Sequence, residues 1–137
     1  MLYISTNSKD FPYEEARKLY EDNKKYFLPL DISFDALIEG LRGNLWAVTV
    51  DNIFIGCIYF EQRENKWFLS GVSVRKQYKY IPQAIEGLCK LYFEQTDAIY
   101  SETEHKWAKE ALKRADFIQL KENLFRKERN KCSMNYF

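Results

Sequence analysis

The stretch that decides the fold is residues 67–84, WFLSGVSVRKQYKYIPQA. Its first half, residues 67–74, is rich in aromatic, apolar and β-branched side chains and predicts a strand. Three cations follow within five residues, and from Ile81 the apolar residues recur at helical spacing. Pro82 suits the first turn of a helix, where a missing N–H is tolerated. The stretch therefore predicts a strand that passes through a basic loop into a helix.

Two further strands are predicted immediately before this stretch, at residues 45–50 and 53–61. Asp51 and Asn52 separate them, and both residue types tolerate the left-handed backbone of a tight turn. The three strands together predict an antiparallel meander. Gly71 inside the third strand predicts a bulge or a close approach of two backbones, because glycine otherwise weakens a strand.

Helical patterns and a short strand precede this meander. Residues 2–6 read as a strand, Pro12 opens a helical pattern, and Pro29 interrupts it. Ser33 is a suitable N-cap for a second helix, since its hydroxyl can accept a hydrogen bond from an unpaired amide.

Another strand, a helix and a last strand are predicted after residue 92. Residues 98–100 read as a strand, and Ser101 with Glu104 has the spacing of a capping box for the next helix. Residues 117–124 alternate as a final strand. The predicted order is β-α-α-β-β-β-α-β-α-β, an α/β mixed sheet with helices on its faces.

Composition narrows the class of protein. The 137 residues suit one domain, predicted at 1–125 with a polar tail at 126–137. Lys+Arg number 21 and Asp+Glu 20, a balance that argues against a nucleic-acid-binding protein. No apolar run reaches the roughly 20 residues of a membrane span, and no secretory signal is visible. Three widely spaced cysteines (Cys57, Cys89 and Cys132) and a single histidine predict reduced thiols, no zinc site and a cytoplasmic location.

The predicted order resembles the GNAT superfamily of N-acyltransferases over residues 2–125. In that family the fourth strand leads into a loop of pattern [RQ]-x-x-G-x-[GA], which opens a helix. Here the corresponding residues are Lys79-Tyr80-Ile81-Pro82-Gln83-Ala84. Ala84 keeps the pattern, whereas Lys79 replaces the Arg or Gln and Pro82 replaces the first Gly.

A second family signature is an Asn at a helix start, with Ala, Tyr and Gly-Phe at fixed distances after it. Counting back from Phe117 puts His105 at the Asn position and Ala108 at the Ala position. Leu112 falls at the Tyr position, although leucine cannot donate a proton. Asp116 stands where the family has Gly.

The resemblance implies acetyl-CoA as cofactor, with its pyrophosphate at the helix N-terminus and its pantetheine arm along the fourth strand. Pro82 removes one amide, so we expect a weakened site. The alternative is a solvated basic turn that binds nothing. The residues predicted to bind the cofactor are Val72, Val74, Arg75, Lys76, Lys79, Ile81, Gln83 and Ala84.

Acyl transfer to an amine needs a base for the ammonium and an acid for the leaving thiolate. The candidate bases are Glu61 and Glu102; the alternative for each is a solvated carboxylate, paired with Lys106 in the case of Glu102. Tyr100 and His105 are the other catalytic candidates. The alternative for His105 is a surface position at a helix start.

Two functions remain open from the sequence. One is an N-acetyltransferase that moves an acetyl group from acetyl-CoA to an unknown amine, with residues 26–34 walling the acceptor site. The other is a GNAT-fold protein without catalysis, similar in outline to small phage proteins and located in the cytoplasm or a virion. A homodimer or a larger protein assembly is compatible with either. Neither of the two functions involves a membrane, and nucleic-acid binding is the least favoured function.

Overall fold

A computed structural model describes residues 1–26 and 32–129, and in these ranges the chain forms one seven-stranded mixed sheet and four α-helices. The strand order is β1-β2-β3-β4-β5-β7-β6. The elements are β1 (Leu2–Ser5), α1 (Tyr13–Asn23), α2 (Phe34–Leu41), β2 (Leu45–Val50), β3 (Ile53–Arg63), β4 (Lys66–Ser73), α3 (Ile81–Tyr92), β5 (Ala98–Glu102), α4 (Lys106–Arg114), β6 (Ile118–Lys121) and β7 (Leu124–Glu128). The predicted mixed α/β class is confirmed.

The antiparallel half of the sheet forms as the turn chemistry predicts. Asp51 and Asn52 have φ angles of 52° and 67° and join β2 to β3. Both lie in the left-handed region that these residue types tolerate. Ser33 caps α2 as predicted, since its side chain accepts a hydrogen bond of 3.1 Å from the Ala36 amide. Local sequence therefore determines these boundaries.

Helices cover both faces of the central strands. On one face, Ala16 and Tyr20 of α1 and Phe34 of α2 pack against apolar residues of β2 and β3. On the other face, residues of α3 and α4, including Ile85, Leu88 and Leu112, pack against β3, β4 and β5. Because both faces are buried, β3 is an almost continuous apolar strand rather than an alternating one.

The parallel contact between β4 and β5 is short. Only two residue pairs join them, Trp67 with Ile99 and Phe68 with Tyr100. By contrast, eight residue pairs join β3 and β4. Beyond Phe68 the two strands separate, and the sheet contains a wedge-shaped gap between its two halves.

The predicted capping box at Ser101 and Glu104 is wrong. Strand β5 continues through Glu102, and α4 begins at Lys106 with His105 as its N-cap. The Ser101 hydroxyl instead donates a hydrogen bond of 2.8 Å to the Leu69 carbonyl of β4. A spacing rule cannot detect this partner, since it comes from a strand 32 residues away.

The C-terminal part of the sheet is a hairpin rather than one strand. Residues 118–121 and 124–128 form β6 and β7, and Phe125 of β7 is fully buried. The sheet therefore extends through Glu128, beyond residue 125 where the predicted domain ends. The charged side chains at 126 and 128 pair with each other, since Arg126 Nη2 lies 2.8 Å from Glu128 Oε1. The polar tail at 130–137, Cys132, Pro29 and the loop at 27–31 lie outside the described residues.

Candidate active-site cleft between strands β4 and β5

A cleft of about 650 Å³ opens where β4 and β5 separate. This volume is within the usual range of small-molecule sites, roughly 300–1,000 Å³. Its floor is β4 from Leu69 to Ser73, and its walls come from α1, the start of α3, the end of β5 and α4. The cleft therefore lies at the predicted strand-to-helix corner.

Main-chain groups of β4 point into this cleft. The Val74 amide donates to the Ile55 carbonyl over 2.9 Å, and the register continues without a shift along β3. In an antiparallel pair the hydrogen-bonding residues alternate, so the N–H and C=O groups of Leu69, Gly71 and Ser73 face away from β3. The β5 ladder ends next to Leu69, and the Leu69 carbonyl accepts a hydrogen bond from the Ser101 hydroxyl. Beyond that point, the outward groups of Gly71 and Ser73 face the gap.

Gly71 marks a close approach of two backbones rather than a bulge in its own strand pair. A Cβ at this position would lie 2.7 Å from the Cys57 carbonyl oxygen. The only register shift between β2 and β3 lies beside Thr49 instead.

Ser73 presents a polar group without a partner. Its residue is 8% exposed, and its hydroxyl oxygen is buried with no hydrogen-bond partner among the described residues. Ser101, on the opposite side of the gap, is 4% exposed and bonds to the Leu69 carbonyl. The cleft thus contains two buried serines, and among the described residues only the Ser101 hydroxyl has a hydrogen-bond partner within the protein.

The N-terminus of α3 has few free amides. A 3₁₀ helix at Arg75–Tyr80 runs directly into α3, and the Ile81 amide donates to the Tyr78 carbonyl. Pro82 follows in the first turn and has no N–H. This helix end therefore offers an anion fewer hydrogen bonds from backbone amides than an ordinary helix N-terminus does.

The predicted cofactor residues are distributed around this corner. Three apolar ones, Val72, Val74 and Ile81, line the cleft. Lys76, Lys79 and Gln83 have exposed side chains outside the lining set, and Ala84 is fully buried. Arg75 begins the 3₁₀ helix.

An aromatic pair joins the two sides of the cleft. The Tyr78 ring, from the 3₁₀ helix, stacks on the Trp107 ring of α4 with centroids 3.7 Å apart. Both residues line the cleft, and Trp107 is 45% exposed. Helical spacing in the sequence predicts a core position for Trp107, and this prediction is wrong. Its position in the first turn of a lysine-rich helix was the available signal.

Glu102 and His105 are the predicted catalytic residues that line the cleft. Glu102 accepts a hydrogen bond of 2.8 Å from Arg63 rather than pairing with Lys106. His105 caps α4, and its backbone amide donates to the Thr103 hydroxyl over 3.1 Å. A carboxylate and an imidazole can both accept protons, so this end of the cleft can support acid–base chemistry.

Glu61 and Tyr100 do not line the cleft among the described residues. Glu61 lies 3.4 Å from the Arg63 guanidinium, which also contacts Glu102. Tyr100 packs against Phe68 with ring centroids 5.6 Å apart. Arg63, which sequence reasoning did not single out, therefore links the two candidate carboxylates.

Cys57 lies in the cleft wall but is not a nucleophile. It is 4% exposed, and burial raises the pKa of its thiol to about 12. At neutral pH the thiolate form needed for attack is almost absent. The apolar sequence patterns around Cys57 and Cys89 predict buried packing thiols, and both residues are buried free cysteines.

Within residues 1–26 and 32–129, no helix is long and apolar enough to cross a membrane. In the same part of the chain, no three His, Cys, Asp or Glu side chains are grouped closely enough to hold a metal ion.

Comparison with models of protein families finds no match, and comparison with curated proteins finds none. Solved structures do match. An acetyltransferase from Agrobacterium tumefaciens aligns with a TM-score of 0.68 and 12% identity, over 86% of this chain and 85% of that one. Aminoglycoside 6'-acetyltransferase type Ii aligns with a TM-score of 0.66 and 15% identity, over 93% and 97% of the two chains.

The N-acetyltransferase PseH of Campylobacter jejuni, solved in complex with acetyl coenzyme A, aligns with a TM-score of 0.64 and 13% identity. The alignment covers 94% of this chain and all of PseH. At such identities the likeness establishes the fold. The chain therefore has a divergent GNAT fold.

Proposed function

We propose that this protein is an N-acetyltransferase that moves an acetyl group from acetyl-CoA to an amine. The observation that carries the proposal is the gap between β4 and β5, where an extended chain can lie against unpaired main-chain groups of Gly71 and Ser73. PseH, a structural neighbour over the whole of its own length, binds acetyl coenzyme A.

The residues of the cleft fit an extended cofactor. Gly71 leaves room for a chain to lie on β4, and Ser73 has an unsatisfied hydroxyl there. Lys76 and Lys79 lie at the entrance to α3, where Pro82 has removed a backbone donor. In this proposal their ammonium groups contribute the charge that holds phosphates, so affinity falls as salt rises.

The cofactor supplies the activated acetyl group as a thioester. On the protein side, the outward N–H of Gly71 is a candidate donor to a carbonyl oxygen that gains negative charge. Glu102 is the proposed proton acceptor for the amine, with Arg63 holding its carboxylate. His105 is the proposed second proton-transfer group, because Leu112 occupies the position where the family has tyrosine.

The first test is a thermal shift with acetyl-CoA and with CoA. At one hundred times the dissociation constant, a ligand specific for the native state stabilises by about 2.7 kcal/mol, or roughly 10 °C for a domain of this size. Lys79→Glu should weaken binding. Lys90→Glu, at the other end of α3, provides the matched change of charge and should leave binding unaltered.

Turnover is then measured by the release of free CoA in the presence of a panel of amines. Binding together with turnover supports the enzyme. Binding without turnover supports the second candidate, a GNAT-fold binding protein, which Leu112 and Pro82 favour. Absence of any shift with the wild type rejects the acetyltransferase and favours a GNAT-fold protein with a structural role. The same proposal places the protein in the cytoplasm.

A further inference from the structure

One face of the C-terminal half of the sheet carries a row of side chains outside the described core. Ile99 and Phe125 point to the opposite face, where they pack with α3 and α4. Directly paired residues of neighbouring strands share a face. On this face the register of β4, β5, β7 and β6 aligns Phe68, Tyr100, Arg126 and Ile118. The three apolar members of this row belong to neither apolar cluster of the described residues.

The row is more apolar than the water-facing side of a sheet usually is. Antiparallel sheets with one solvated face normally carry polar residues there. Here Ile118 is 68% exposed, and Leu120 of the same strand is exposed as well. The Phe68 and Tyr100 rings are only partly buried and pack on each other with centroids 5.6 Å apart. Contiguous apolar surface of this kind marks an interaction site.

The charges around the row are balanced, and this balance indicates the class of partner. Arg63 lies 3.8 Å from the centre of the Phe68 ring, and Arg126 lies 5.7 Å from that of Tyr100. The cations on this face are Arg63, Lys66 and Arg126, and the carboxylates are Glu61, Glu102 and Glu128. These six groups have no net charge, so they do not attract a phosphate backbone or an anionic membrane. Aromatic rings beside arginine are typical of protein–protein interfaces.

The order of residues along the row is complementary to itself. Two sheets can pack face to face about 10 Å apart, with their strands within about 30° of each other. A two-fold axis parallel to the strands, between β5 and β7, exchanges β5 with β7 and β4 with β6. Tyr100 then faces Arg126 of the second copy, and Phe68 faces Ile118 of the second copy. The first pair is a cation–π contact and the second is apolar, and the symmetry forms each of them twice.

We propose that this open face, the row Phe68–Tyr100–Arg126–Ile118 with its surrounding charges, is the interface of a two-fold homodimer. Four strands about 4.8 Å apart make it about 19 Å wide. Such a face is smaller than the roughly 800 Å² that each partner contributes to a standard interface, so the dimer is weak and depends on concentration. The proposal is independent of whether the protein binds acetyl-CoA.

The test is sedimentation velocity of the full chain from about 10 µM to 1 mM, the range expected of a weak interface. The wild type should pass from monomer towards dimer as its concentration rises. Ile118→Glu places a carboxylate opposite an aromatic ring and should lower the association constant at least about tenfold, because each dimer contains the contact twice. Leu91→Glu is the matched control, since Leu91 is 48% exposed on α3, on the other side of the sheet. It should dimerise as the wild type does.

Dilution of the isotope-labelled wild type, followed by amide NMR, locates the interface without any variant. The signals of Phe68, Tyr100 and Ile118 should move on dilution, and that of Leu91 should not. A wild type that stays monomeric throughout the range overturns the proposal. A dimer that Ile118→Glu does not weaken, or whose moving signals lie on another face, overturns it as well. Since binding of acetyl-CoA is measured separately, none of these results affects the proposed function.

Discussion

Replacing Gly71 by alanine should destabilise the protein, although glycine-to-alanine changes in regular structure often stabilise it. The added Cβ would meet the Cys57 carbonyl oxygen at 2.7 Å and the Ile58 Cα at 3.3 Å. Both are backbone atoms of β3, so relief requires the two strands to move apart. Insertion of a methyl group into a packed region costs about 1–3 kcal/mol. For a domain of this size that corresponds to a melting temperature roughly 4–12 °C lower.

Gly40→Ala is the matched control for this change. Gly40 lies in α2, and among the described residues no atom outside the nearby backbone of that helix lies within 4 Å of the position that its Cβ would occupy. Alanine is the better helix former by about 0.5–1 kcal/mol, so this variant should melt roughly 2–4 °C higher.

Differential scanning calorimetry and urea titration measure whether each variant is less stable or more stable than the wild type. If Gly71→Ala were as stable as the wild type while Gly40→Ala gained stability, the close contact of β3 with β4 would not be the reason for glycine at position 71. The same result would argue against a tightly packed cleft floor at Gly71. Gly71→Ala should also reduce CoA affinity, since the strand that moves carries the main-chain donors.

Two further predictions concern buried groups. Tyr92→Phe should lower the free energy of unfolding by about 1–3 kcal/mol. The reason is that the Tyr92 hydroxyl accepts a hydrogen bond from the Trp46 indole at 3.0 Å and donates one to the Asn44 side-chain oxygen at 2.6 Å. Urea denaturation measures this change, and a loss under about 0.5 kcal/mol contradicts the prediction. Burial raises the pKa of Cys57 from 9.0 to about 12, so above pH 9 the unfolded chain loses a proton that the folded chain keeps. Unfolding should therefore become easier between pH 9 and 12, by about 1.4 kcal/mol for this thiol at pH 10. Cys57→Ala should lose that much less stability than the wild type between pH 8 and 10, and equal losses in the two proteins would refute the assignment.

Features of the fold that depend on neighbouring residues were predictable from sequence. The cap at Ser33 and the turn at Asp51 follow from what these side chains do to their own backbone, and the structure confirms both. The strand-to-helix corner at residues 67–84 was predictable because a stretch rich in aromatic and β-branched residues is followed by apolar residues at helical spacing.

Features that depend on distant strands were not predictable in this way. Ser101 fits a capping box by spacing, but the separation of β4 from β5 directs its hydroxyl to Leu69. The orphan hydroxyl of Ser73 arises only once β3 and β4 have packed together. Tyr78 and Trp107 meet because the 3₁₀ helix and α4 approach each other across the gap. Each depends on long-range geometry that residue spacing does not encode.

Because the ladder between β4 and β5 is short, the sheet has unpaired strand edges in its interior as well as its outer edges at β1 and β6. An unpaired border on the outside of a protein invites strands from other molecules and so promotes aggregation. Here α1 stands on one side of the opening and α3 and α4 on the other, so helices flank this inner edge. The molecule thus keeps unpaired peptide groups at its centre, flanked by helices, and the Gly71 amide should exchange its hydrogen with solvent faster than its neighbours Ser70 and Val72.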